Sequence, residues 1–212
     1  MAANSLPFHP DLHVESTQRV WDGRFPLDVV RFRHRRFDGA MSALKTWELW
    51  HRGRAAAVLP YDPQRDRVVL IEQFRLPALA AGLDPVLVEV PAGLCDGTET
   101  PEQTIRREAE EEMGLAPDRL ERIGEFILTP GGADEMCVLF AGRVHTPDAA
   151  PDGLLGHHGS PDEHEDIRVR VWPAMEAIDA ALQGRIPNSV AAIALLWLHA
   201  CRDRLRAEWM AP

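Results

Sequence analysis

Residues 93–115, GLCDGTETPEQTIRREAEEEMGL, specify a helix whose two ends are set by its own residues. Thr100 suits the N-cap, Pro101 the first helical position, and Gln103 completes a capping box. Gly114 supplies the C-terminal stop. The charges run against this design. Glu110, Glu111 and Glu112 crowd the last turn, where the helix dipole already gathers negative charge. Glu108 and Glu112 stand four apart on one face and repel. A solvated acidic face is the ordinary explanation of such a cluster. Two features resist it: the acids sit at the wrong end of the helix, and glycines flank them at fixed distances. A divalent cation removes the conflict, because Glu108 and Glu112 project together and offer the hard oxygen donors that Mg²⁺ takes.

The rest of the chain narrows the setting. Its 212 residues suit one sizeable domain, or a domain with an appendage. A formal net charge of -10 argues against a general nucleic-acid binder and requires local cations for any anionic substrate. Cys95, Cys137 and Cys201 are too scattered for a disulfide framework or a zinc site, which points to a reducing, cytoplasmic setting. The opening MAANSLPFHP has neither a basic nor an apolar signal region, and VAAIALLWL, at 190–198, is too short to span a bilayer. It reads as part of a buried helix, and no membrane partner is expected.

Three regions follow one another. Residues 1–53 carry strand-like alternation in PLDVVRFRHRRF and ALKTWELWHRG, with a turn signal in FDGAMS between them. From residue 54, AAAVLPYD, DRVVLIEQFR and VLVEVPAG read as strands before the glutamate-rich helix, and LERIGEFILTP and EMCVLFAGRV as strands after it. Residues 145–162 have the Pro, Gly, Asp and His content of a loop. A strand in EDIRVRVW and two helices, PAMEAIDAALQG and one from about Asn188 to Trp209, close the chain. The expected fold class is α/β, with an N-terminal β-rich region (1–53) preceding the main domain (54–212).

Set out by spacing, Gly93, Glu99, Arg107, Glu108, Ala109, Glu111, Glu112, Gly114 and Leu115 resemble the Nudix box, G-x5-E-x7-R-E-U-x-E-E-x-G-U with U a bulky or aliphatic residue. All fixed positions match; Ala109 is small for its slot but apolar. The resemblance implies a Nudix α/β/α sandwich with a mixed sheet, and hydrolysis of a nucleoside diphosphate linked to another group. It also makes Glu108, Glu112 and the carbonyl of Ala92 Mg²⁺ ligands, with Mn²⁺ a possible substitute. Arg107 matches the position that orients a box glutamate, and Glu111 a ligand or a residue supporting one.

Beyond the box, RFRHRRFDGAMS, HRGRAAAVLPYDPQRDRVVLIEQFR, TPGGADE, DEHEDIRVRVW and IPNSVAAIALLWLH resemble bacterial ADP-ribose pyrophosphatases in the same order. On that resemblance Arg52 and Arg75 contact the phosphates and terminal ribose; read alone, each is better explained by surface solubility or a structural ion pair. Trp47 and Glu48 fall where the family holds the adenine, although a strand Trp is more often core. Arg24 and Phe25 match a segment that reaches the partner subunit's site, but an aromatic residue is common where this chain has Arg24. Leu94, Thr129 and Glu135 match further substrate-lining positions, and Leu94 is equally a packing residue. Glu163 matches the general base and Glu165 a further metal ligand.

The implied activity is Mg²⁺-dependent hydrolysis of ADP-ribose to AMP and ribose 5-phosphate in a homodimer. Two alternatives stand beside it: a hydrolase of another nucleotide sugar such as GDP-mannose, and a domain that only senses ADP-ribose. The full carboxylate set argues against a sensor, since binding alone needs no general base.

Overall fold

The computed structural model describes residues 6–95, 97–160 and 165–211. They form two compact units: Met1–Gly53 with Ile127–Met136, and Arg54–Phe126 with Cys137–Pro212.

The first unit is built on a three-stranded antiparallel sheet of β1 (Leu12–Trp21), β2 (Leu27–His34) and β3 (Lys45–Trp50), in that order. The pairing sets Val30 opposite Trp47 and Leu27 opposite Trp50. The strand β1 was not expected from its sequence. LHVESTQRVW is largely polar and mostly exposed, so it lacks the alternation that marks a half-buried strand. The 127–136 segment joins through Trp50, whose N–H donates to the Gly132 carbonyl (2.8 Å) and whose carbonyl accepts from Asp134 N (3.2 Å).

The second unit contains β4 (Arg54–Asp62), β5 (Arg67–Phe74), α1 (Leu76–Ala80), β6 (Val86–Glu89), β7 (Ala92–Leu94), α2 (Pro101–Met113) and β8 (Arg119–Ile127). It continues with β9 (Met136–Arg143), β10 (Leu154–His158), β11 (Ile167–Pro173), α3 (Ala174–Leu182) and α4 (Ser189–Trp209). Its mixed sheet runs β10-β11-β5-β4-β9-β8, with β6 on β5 and β7 on β4. The segment VLVEVPAG serves two strands because Pro91 has no N–H for a ladder; its carbonyl instead accepts Val58 N–H at 3.0 Å.

Alternation along β4 divides the core. Ala56 and Val58 join Val69, Ile71, Phe140 and the α2 residues Ile105, Ala109 and Met113 in one buried cluster. Tyr61, of the opposite parity, meets Trp209 of α4 with ring centroids 6.4 Å apart. The sheet is therefore covered on both faces, an α/β/α sandwich. The small Ala109 is fully buried, where α2 lies against the sheet. The expected 145–162 loop contains β10, paired antiparallel with β11. The turn before it, Pro151-Asp152-Gly153, has Asp152 Oδ1 accepting from Leu154 N at 3.1 Å and Gly153 at φ 84°. Short edge pairing of this kind leaves little trace in composition. Among the described residues no helix is long and apolar enough to cross a membrane.

Candidate active site

The helix α2 is capped as its sequence dictates. Thr100 Oγ1 accepts from Gln103 N, Gln103 Oε1 accepts from Thr100 N at 2.9 Å, and Gly114 closes the helix at φ 69°. These fixed ends set which residues face the sheet. Glu108 and Glu112 share the face of Ile105, Ala109 and Met113, so both carboxylates are carried inward.

Burial falls hardest on Glu112, which is 2% exposed. Its Oε2 accepts the Ala92 N–H at 2.9 Å. Loss of solvation pushes its pKa up to about 8; the Ala92 hydrogen bond opposes that rise, while Glu108 and Glu165 add to it. Glu108 is also raised, first by burial, with Arg107 opposing.

Arg107 gathers the outer carboxylates. Its guanidinium reaches Glu99 Oε2 at 3.2 Å, Glu108 Oε1 at 2.9 Å and Glu111 Oε2 at 2.9 Å. Glu99 also accepts from Thr104 Oγ1 at 3.1 Å, so the box residue preceding the helix is tied to its first turn. Glu111 is half exposed and held by Arg107, and Glu110 faces solvent. The acids at the end of α2 thus have three different environments.

Gly93, on β7, lies against Glu108: a Cβ there would stand 1.9 Å from its Oε1. Leu94, half-buried, pairs across the ladder with Ala55. Arg75 makes a bidentate pair with buried Glu89, with Nε to Oε1 at 3.0 Å and NH2 to Oε2 at 2.8 Å. Arg75 also acts electrostatically on Glu112 and Glu165. Sequence reasoning missed Glu89, although a lone carboxylate within the apolar VLVEV was the available signal. Glu165 is partly buried, and its Oε2 accepts from Ser160 N at 3.2 Å. Glu163 lies outside the described residues.

The remaining candidates belong to the first unit. Arg24, Phe25, Trp47, Glu48, Thr129 and Glu135 line a concavity of about 1070 Å³ together with Trp21 and Trp50. Trp47 is 52% exposed, so it is not the core residue that a strand Trp usually is. Its ring meets Phe32 edge-on at 5.4 Å. Arg52 packs against residues of this surface. Its guanidinium carbon sits 3.9 Å from the Phe25 ring centroid and 4.8 Å from that of Trp50, and NH2 pairs with Glu135 at 3.1 Å. A stacked, paired arginine beside an open aromatic wall suits a planar base and its attached sugar.

Among the described residues no three His, Cys, Asp or Glu side chains already close around one point. The donor chemistry nonetheless fits a hard divalent cation. Glu108 and Glu112 are oxygen donors whose burial outweighs their arginine neighbours, and Glu165 adds like charge to both.

Comparison with known proteins places these features in a family. Residues 51–193 match the model of the NUDIX domain. The chain is 40% identical over 199 residues to the ADP-ribose pyrophosphatase of Escherichia coli (strain K12), covering 94% of this chain and 93% of that protein. It is 36% identical to the ADP-ribose pyrophosphatase of Haemophilus influenzae, over 94% of this chain and 91% of that one. A GDP-mannose pyrophosphatase of Yersinia pestis is 37% identical over a shorter stretch, 71% of this chain and 73% of its own. A crystal structure of an ADP compounds hydrolase superposes with a TM-score of 0.66 at 18% identity, over 97% of this chain and 98% of that one, which speaks to the fold. With the box residues ordered around Glu108 and Glu112 and a domain match over most of its length, the chain belongs to the Nudix family.

Proposed function

We propose that this protein hydrolyses the pyrophosphate of ADP-ribose, giving AMP and ribose 5-phosphate, with Mg²⁺ as its cofactor and Mn²⁺ as a substitute. The observation that carries the chemistry is Glu112, 2% exposed and opposed by neighbouring carboxylates, a position that is stable as an anion only beside a cation. The choice of substrate rests on 40% identity to ADP-ribose pyrophosphatase over nearly the whole chain.

In this reading Glu108, Glu112, Glu165 and the Ala92 carbonyl hold the metal. When bound, Mg²⁺ polarises phosphate oxygens and lowers the pKa of a coordinated water. Arg107 keeps Glu108 and Glu111 in place through its ion pairs. Glu163 takes the proton from the attacking water. That water bonds to the adenosyl phosphorus, the bridging P–O bond breaks, and the electron pair leaves on ribose 5-phosphate. Arg75 supplies positive charge toward the phosphates. Trp47 and Glu48 hold the adenine, Arg52 joins Arg75 on the phosphates and terminal ribose, Leu94, Thr129 and Glu135 line the substrate, and Arg24 and Phe25 reach a second copy in a homodimer.

The test is a panel of ADP-ribose, GDP-mannose and other nucleotide sugars with Mg²⁺, detecting nucleoside monophosphate and sugar phosphate. ADP-ribose should give the highest kcat/KM. A GDP-mannose preference would favour the second reading, which the Yersinia relative keeps open. Binding without turnover would mean a sensor.

A further inference from the structure

Asp28, His51 and Asp134 form a cluster in the first unit that the proposed chemistry leaves unused. His51 Nδ1 lies 2.8 Å from Asp134 Oδ2, and Nε2 lies 2.8 Å from Asp28 Oδ2. An ionised carboxylate only accepts, so both ring nitrogens must carry protons to satisfy both contacts. A neutral imidazole would turn a nitrogen lone pair toward one of the carboxylates. Arg19 donates Nε–H to Asp28 and NH1–H to exposed Asp22 at 2.8 Å, which leaves His51 as the cationic side chain within reach of Asp134. Asp28 is 1% exposed, and water cannot make up a charge lost beside it. Burial opposes the charge on His51, but the hydrogen bonds to Asp134 and Asp28 outweigh it and raise its pKa.

The other oxygen of Asp134 holds backbone. Its Oδ1 accepts from Arg52 N at 2.7 Å and from Gly53 N at 3.1 Å, and Gly53 takes the left-handed φ of 77° that this turn requires. His51 N–H donates to the Pro26 carbonyl at 2.8 Å. A chain of contacts therefore runs from Arg19 through Asp28, His51 and Asp134 to the backbone of Arg52. The Arg52 guanidinium ends on Glu135 and on the rings of Phe25 and Trp50.

We propose that His51, as an imidazolium, is the positioning residue for the Arg52–Glu135 pair and so sets how tightly the aromatic concavity holds a nucleotide. This rests on the concavity being the nucleoside site, as proposed above. The dependence on pH has a definite sign. A histidine whose pKa is raised on folding contributes stability fully below its ordinary value of 6.5 and loses that contribution as pH rises through the folded value. Above that midpoint a ring nitrogen turns its lone pair to a carboxylate, the support that Asp134 gives the Arg52 backbone loosens, and substrate affinity should weaken on the alkaline side.

The experiment follows the ring nitrogens of His51 and the Nε–H of Arg52 by ¹⁵N NMR on the full chain, from about pH 6 to about pH 9. Both ring nitrogens should be protonated at about pH 7, and the Arg52 signal should shift with the His51 midpoint. In parallel, KM for ADP-ribose should rise about tenfold across that midpoint while kcat changes by less than about twofold. His51→Gln, which donates to only one carboxylate, should raise KM about tenfold at neutral pH and remove the step. Asp134→Asn separates positioning from bulk structure. Its amide oxygen still accepts from Arg52 and Gly53, and its NH₂ donates to a neutral His51, so KM stays near the wild-type neutral value with no alkaline step. This arm stands even if His51→Gln does not fold. A neutral His51 at about pH 7, or a KM that stays flat while His51 deprotonates, overturns the proposal. A wild-type enzyme that leaves ADP-ribose intact overturns the functional reading instead, and the Arg52 titration then decides the positioning role.

Discussion

Gly93 is the wall against which the Glu108 carboxylate rests: a Cβ at 93 would lie 1.9 Å from Oε1 and 2.1 Å from Cδ. The obstacle is the far end of a flexible side chain, so the fold can yield by swinging Glu108 aside. Gly93→Ala should therefore leave thermal stability within about 1 kcal/mol of wild type while reducing activity by about tenfold or more. A variant with wild-type kcat/KM at low Mg²⁺ would show that the position of Glu108 does not matter to the chemistry.

Glu112→Gln separates stability from function in the opposite direction. The amide keeps an oxygen for the Ala92 N–H and removes a buried charge from beside Glu108 and Glu165. Without metal, the variant should melt at or above the wild-type temperature at neutral to alkaline pH. Mg²⁺ should raise the wild-type Tm and leave the variant unmoved, since an amide is a poor substitute for an anionic ligand. Turnover should be nearly abolished. Scanning calorimetry with and without Mg²⁺ checks both parts, and retention of most wild-type turnover would refute the ligand assignment.

Asp62 is a structural carboxylate with its own pH signature. It is 2% exposed and accepts from Gln64 N and Arg65 N at 3.0 Å, Thr146 N at 2.9 Å and Thr146 Oγ1 at 2.7 Å. Burial works against its charge, but the hydrogen bonds from Arg65 and Thr146 prevail and lower its pKa. A lowered carboxylate pKa contributes stability above the unfolded value of about 3.8 that is lost as pH falls through the folded one. Asp62→Asn should cost about 2–4 kcal/mol at neutral pH, because an amide NH₂ would face the Thr146 donors. The loss should shrink in acid. Denaturant titrations at about pH 7 and about pH 3 measure the difference.

What the sequence made legible follows a physical division. The capping box, Gly114 and the 3.6-residue period are local, so the ends of α2 and its inward face could be read directly. Glu108 and Glu112 were legible as a conflict: four residues apart, like charged and at the wrong end of a helix. The cluster of His51, Asp28 and Asp134 was not. Its members are separated by 23 and 83 residues, and each alone is an ordinary polar residue near a turn. The strand β1 escaped notice because both its faces are largely exposed, and α1 because five residues are too few to show a period.

Glu163 and Glu165 stand two apart but are assigned different work. Glu163→Gln should lower kcat by about 10²–10⁴ with little change in substrate affinity, as loss of a general base does. Glu165→Gln should raise the Mg²⁺ concentration needed for half-maximal rate. Metal titrations of the two variants settle the order, and the reverse pattern would exchange the roles.

The first unit also bears on assembly. Its three-stranded sheet leaves Trp21 64%, Trp47 52% and Trp50 43% exposed, with Val30 at 3% one of its few buried apolar side chains. Such a thin sheet gains little from its own core, and its edge strand β1 offers unpaired backbone groups. A two-fold partner would cover apolar surface of this kind. The protein should therefore behave as a dimer of about twice the 23.7 kDa chain mass by size-exclusion chromatography with light scattering. Replacing Trp21 with Glu should raise the dimer dissociation constant by about tenfold or more, since a charge in place of an indole opposes burial. KM should rise in step if the partner contributes to the nucleoside site. A fully active monomer at working concentration would remove the dimer from the account of function, leaving those tryptophans to the substrate alone.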